Sequence, residues 1–89
     1  MVKANESWYV YALYSVCYNR VYVGMSQNPE NRLKEHNAGR TASTKTYRPW
    51  VKVYQESVGE IAHARKREKQ LKTGSGKEFI RSVISHLSF

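Results

Sequence analysis

The sequence predicts an α+β fold, a small three-stranded antiparallel sheet flanked by helices in the order β-β-α-β-α-α. Three observations predict it. Two aromatic and β-branched segments, residues 8–14 and 20–24, flank a short polar interruption at residues 17–19 and read as a hairpin. A third alternating segment, residues 49–55, follows a helix with its own start and stop signals. Two further helical patterns then close the chain. At 89 residues the chain reads as one domain spanning 1–89. A chain of this size has one modest core and no room for a large enclosed cavity, so a ligand is expected on a surface or in a shallow cleft.

Each element has its own argument. Side chains alternate across a strand, so Tyr9 and Tyr11 share one face. With Val10 and Ala12 lying over Val21 and Val23, Tyr11 and Tyr22 emerge together on the other face. In the first helix Asn28 is a good N-cap, Pro29 suits the first helical position and Gly39 suits a left-handed C-terminal stop. Residues 40–46 are polar and read as loop, and Gly59 breaks the chain after the third strand. From 60 to 72 the composition is helix-forming, with Ile61, Ala64, Glu68 and Leu71 on one face. Gly74 is expected to close that helix. Ser75 and Glu78 read as a capping box for the last helix, whose apolar positions are Phe79, Ile80, Val83, Ile84 and Leu87.

Charge and absences narrow the chemistry. Fifteen Lys and Arg against seven acids give a net charge of +8, which favours a polyanionic partner. Every acid is Glu, so an aspartate-cluster two-metal site is excluded. The single Cys17 has no second cysteine for a disulfide or a CxxC zinc motif, and a reducing cytoplasm fits. The stretch up to Glu6 shows no apolar run of the leader type, and the longest apolar stretch, residues 8–14, is far short of the roughly 20 residues that span a bilayer.

Glu68 is the most informative residue. A carboxylate on an inward stripe must be paired, protonated or metal-bound. Two readings stand: an ion pair with Arg65 or Lys72 on the same helix, or a metal ligand at the bottom of a cleft. Arg32 and His36, four residues apart, project from one helix face and offer a fixed cation beside a titratable ring, a pair suited to a phosphate. The basic residues Arg40, Lys45, Arg48, Arg65, Lys69 and Lys72 are candidates for contact with a phosphodiester backbone. Thr73-Gly74-Ser75-Gly76-Lys77 lacks the spacing of a phosphate loop and reads as an interhelical turn.

Taken together, these residues resemble the GIY-YIG nuclease superfamily over residues 8–84, in particular its small single-domain bacterial members. Those are similar to the nuclease domain of the excision-repair protein UvrC and of intron homing endonucleases. Tyr9-Val10-Tyr11 matches the first signature, with Tyr9 in place of its Gly, and Tyr22-Val23-Gly24 matches the second. The run ending in Arg32 and His36 looks like the family's arginine helix, and Arg67-Glu68-Lys69-Gln70-Leu71 looks like its glutamate helix.

The resemblance implies a metal-dependent endonuclease acting on DNA, with RNA left open, in repair or processing of structured DNA. It implies catalytic residues Tyr11, Tyr22, Arg32, His36 and Glu68, with one Mg²⁺ (or Mn²⁺) ion on Glu68 and a tyrosine as general base, without choosing between Tyr11 and Tyr22. A cytoplasmic monomer, with room for a targeting protein partner and no membrane, fits that reading. The competing expectations are a non-catalytic nucleic-acid-binding module of the same fold, and a protein-interaction domain using an exposed aromatic patch at Trp50 and Tyr54.

Overall fold

In the computed structural model of the protein, residues 7–89 are described, and β1 (Trp8–Ser15) forms the centre of a three-stranded sheet. β2 (Arg20–Ser26) and β3 (Val51–Gly59) pair with it on either side, both antiparallel, in the order β2-β1-β3. The helices are α1 (Pro29–Asn37), α2 (Ala42–Lys45), α3 (Ile61–Leu71) and α4 (Gly74–Ser85). Among the described residues no helix is long and apolar enough to cross a membrane. The expectation about a leader concerns the stretch up to Glu6 and lies outside the described residues.

The hairpin register sets everything that follows. Ala12 lies opposite Val23 and Val10 opposite Met25, while Tyr11 faces Gly24 and Leu13 faces Tyr22 on the other side of the sheet. One face therefore collects Val10, Ala12 and Val23 under Ala64 and Leu71 of α3 and Ile80 of α4. The other collects Tyr11, Leu13 and Trp50, with Tyr22, Leu33 of α1 and Tyr47 packed against them.

The first helix follows its local signals. Asn28 Oδ1 accepts the Asn31 amide, and Pro29 opens the first turn. Gly39, at φ +81°, ends it: its N–H donates to the His36 carbonyl and the Arg40 N–H to the Glu35 carbonyl, the paired bonds of a Schellman stop. Gly59, at φ +79°, ends β3 as expected.

Four expectations are corrected. The predicted loop at 40–46 contains the single-turn helix α2, nucleated where the Thr41 carbonyl accepts both the Thr44 and the Lys45 amides. Four residues carry no periodicity, so the sequence offers no sign of it. Second, α4 begins at Gly74, which therefore starts this helix and does not close α3. Its cap is Thr73, whose hydroxyl accepts the Gly76 amide at 3.2 Å, in place of the Ser75 box. Tertiary packing makes that choice: a Cβ on Gly76 would sit 2.2 Å from the Gln70 carbonyl oxygen, so the two helices meet backbone to backbone there. Third, Ile61, Phe79 and Leu87 lie at the margins of their stripes and are exposed. Fourth, Trp50 is buried, and its indole N–H donates to the Thr44 carbonyl at 2.9 Å. Tyr54 is half-buried against Phe79 and donates to Glu56, so the exposed aromatic patch expected at Trp50 and Tyr54 is absent.

Candidate active site

Four elements deliver side chains to the tyrosine face of the sheet. β1 supplies Tyr11 and β2 supplies Tyr22, with ring centroids 6.4 Å apart. Gly24 is what lets them gather, because a Cβ there would lie 2.6 Å from the Tyr11 hydroxyl. The second signature's glycine is thus a lane for the first signature's tyrosine. α1 adds Arg32 and, one turn on, His36, whose ring stands edge-on to Tyr22 at 4.8 Å. The Tyr11 hydroxyl is 3.0 Å from His36 Nε2. On its other side, His36 Nδ1 is 2.9 Å from the hydroxyl of Thr44, supplied by α2.

The electrostatics follow from burial. Tyr11 is only 1% exposed, and burial first, then the neighbouring Tyr22, pushes its phenol up to about 12. Arg32 opposes the rise, as a hydrogen-bonding partner and as a charge, while Glu68 adds to it. Glu68 sits on α3, so this influence ties that helix to the tyrosine cluster. His36 is held below its ordinary value by burial and by the Arg32 charge, against a smaller opposing pull from Glu35. Arg32 is held further up, chiefly by its ion pair with Glu35.

The expected site residues fall into two groups. Tyr11, Tyr22, Arg32 and His36 form one contiguous cluster, with Glu68 in electrostatic reach. Glu68 is half-buried between Ala64 and Leu71, and Lys72 Nζ lies 3.5 Å from it, which is one of the pairings its sequence position suggested. Among the described residues no group of three or more His, Cys, Asp or Glu gathers, so Glu68 belongs to no such cluster. Its neighbour Arg67 turns away to grip Glu56, with Nε 3.1 Å from both carboxylate oxygens.

The six candidate DNA contacts are all exposed and lie outside this cluster. Lys45 and Arg48 pack over Gly39 beside Arg40, and the Arg48 Nε donates to the Lys45 carbonyl at 2.9 Å. Arg65, Lys69 and Lys72 run along α3, where Lys72 is drawn to Glu68. Sequence reasoning missed Thr44 and also Asn37, whose side chain clamps Trp50 by accepting its N–H at 2.7 Å and donating to its carbonyl at 3.0 Å. One of three threonines in a polar run and an asparagine in a last helical turn carry no signal of such partners.

The GIY-YIG catalytic domain family matches residues 7–80, which takes in every residue of the cluster. The chain belongs to the GIY-YIG family. Among its relatives, a UPF0213 protein of Staphylococcus haemolyticus is 41% identical over 66 residues, covering 73% of this chain and 80% of that protein. A UPF0213 protein of Syntrophus aciditrophicus is 37% identical over 78 residues, covering 84% of this chain and 87% of its own. No solved structure matches the chain significantly. In this GIY-YIG chain the two name signatures are cross-strand partners, Tyr11 against Gly24, so the spacing between them along the sequence is the length of a hairpin.

Proposed function

We propose that the protein is a divalent-metal-dependent endonuclease that hydrolyses phosphodiester bonds in DNA. The observation that carries this reading is the convergence of two tyrosines, an arginine and a histidine on one sheet face, with a lone glutamate within electrostatic reach. A catalytic-domain family match over residues 7–80 supports it.

The donor chemistry fits one hard cation. Glu68 offers a half-buried carboxylate, paired among the described residues with the part-exposed Lys72 at 3.5 Å. Mg²⁺ commonly takes one or two carboxylates and keeps the rest of its shell as water and phosphate oxygens. Glu68 would hold such an ion, which would supply Lewis acidity for phosphodiester hydrolysis.

The chain's own residues do the rest. Tyr22 is the half-buried phenol and, once its own proton has gone to solvent, its phenolate oxygen takes the proton from the attacking water. Tyr11, buried and held up to about 12, keeps its proton at neutral pH and serves as a fixed hydrogen-bonding group to His36 beside the Arg32 charge. Arg32 places a permanent cation where charge grows on the phosphorus. Arg40, Lys45 and Arg48 near Gly39, and Arg65, Lys69 and Lys72 on α3, neutralise backbone phosphates on either side.

The test is a panel of labelled DNA and RNA structures incubated with Mg²⁺, Mn²⁺ or EDTA. Scission with either ion and none in EDTA is expected. Salt-dependent binding with no scission of any substrate would overturn the reading and leave a binding module.

A further inference from the structure

The hydrogen bonds around His36 run in one direction. Tyr11, His36 and Thr44 are buried, so each of their protons needs an acceptor inside the protein. The Thr44 hydroxyl donates to the Thr41 carbonyl at 3.3 Å, and a carbonyl only accepts. Thr44 Oγ1 is then the acceptor for His36, which puts the ring proton on Nδ1. In a neutral imidazole the other nitrogen is bare, so Nε2 accepts from the Tyr11 hydroxyl at 3.0 Å. The phenol oxygen keeps its lone pairs for Arg32, a side chain that carries donors alone. The reverse arrangement aims a ring N–H at Tyr11 and leaves the phenol proton facing the guanidinium, donor against donor in a buried site.

We propose that Thr44 is a positioning residue that holds His36 as its Nδ1–H tautomer, so that Tyr11 donates to His36 and presents its oxygen to Arg32. The bonds from Thr44 to His36 and from His36 to Tyr11 thereby fix which way the phenol oxygen faces the guanidinium, whose own side-chain bond is to Glu35. Its effect on cleavage rests on the nuclease reading; the tautomer does not. Thr44 is itself pinned at its other end, because its carbonyl accepts the Trp50 indole N–H and the Trp50 backbone is clamped by Asn37. Burial and the Arg32 charge both disfavour protonation of His36, which keeps the ring neutral and its tautomer defined.

Long-range ¹H–¹⁵N correlation spectra of the wild-type chain near neutral pH show which ring nitrogen of His36 carries the proton. Nδ1–H is the expected result, and Nε2–H in the wild type overturns the proposal before any variant is made. Thr44→Val removes the hydroxyl at nearly constant volume. It is expected to switch His36 to Nε2–H and to lower kcat for DNA cleavage about 10- to 100-fold, with KM for DNA little changed. Thr44→Ser restores both. A Thr44→Val protein that keeps Nδ1–H or full kcat, or a Thr44→Ser protein that restores neither, overturns the proposal. Should the wild type cut no nucleic acid while Thr44→Val still switches the tautomer, the nuclease reading fails and the control of His36 by Thr44 is upheld.

Discussion

The two faces of the sheet are built from alternate residues of the same strand, yet they are made of different materials. Val10 and Ala12 look toward α3 and α4 and meet hydrocarbon: Val23, Ala64, Leu71 and Ile80. Tyr11 and Leu13 look the other way, and there the buried set includes His36 and Thr44 with their polar atoms joined. The first face is non-directional, and its contribution scales with the apolar area it hides. The second depends on the direction of each hydrogen bond, because a buried polar group without its partner forfeits a full desolvation penalty. A domain this small thus sets an apolar face and a hydrogen-bonded polar face one residue apart along β1.

Four experiments press on that separation. The largest effect is expected from Glu68→Ala, which should reduce Mg²⁺-dependent cleavage by about 10³-fold or more, since metal assistance contributes several kcal/mol to such a transition state. Its stability should change by less than about 1 kcal/mol, because its ion pair with Lys72 is a part-exposed helical neighbour pair. A Glu68→Ala protein that is strongly destabilised but still cuts would show that the residue belongs to the structural half.

Ile80→Ala should do the reverse. Emptying a fully buried site on the hydrocarbon face costs about 2–5 kcal/mol in denaturant unfolding, with activity per folded molecule unchanged. Loss of activity in the folded fraction would mean that the two faces are coupled. Arg32→Ala comes next, lowering cleavage about 10²-fold with the fold intact, and Arg32→Lys should recover only part of it because a point charge lacks the planar fork.

The smallest effect is the pH dependence of stability. His36 is held below its ordinary 6.5, so the unfolded chain binds its proton first on acidification. That contribution is complete above about 6.5 and is lost as pH falls through the depressed folded value. Tyr11, pushed up from 10.0 to about 12, works the other way: the native state holds its proton longer, and stability declines as pH rises between those values. Replacing both by Phe should flatten the two limbs. Limbs that persist in unfolding titrations of the double variant would place the titrating groups elsewhere.

What the sequence determined by itself was whatever local chemistry encodes. The alternation of residues 8–14 and 20–24 put Tyr11 and Tyr22 on a shared face, and Asn28, Pro29 and Gly39 bracketed α1 closely enough to set Arg32 and His36 one turn apart. Strand pleat and helix pitch have fixed periods, so such positions follow from spacing alone. The resemblance carried by those residues and by Glu68 led to the family that residues 7–80 match.

Tertiary structure decided the rest. Nothing near Gly24 in the chain announces that its missing Cβ makes room for the Tyr11 hydroxyl across the sheet. Residues 40–46 looked like solvated loop because the partners that order them, the His36 ring and the Trp50 indole, come from other elements. The cap of α4 lies at Thr73 and not at Ser75 because Gly76 must lie against the end of α3. In each case the deciding contact joins segments brought together only by folding, so its energy has no counterpart in any local pattern of residues.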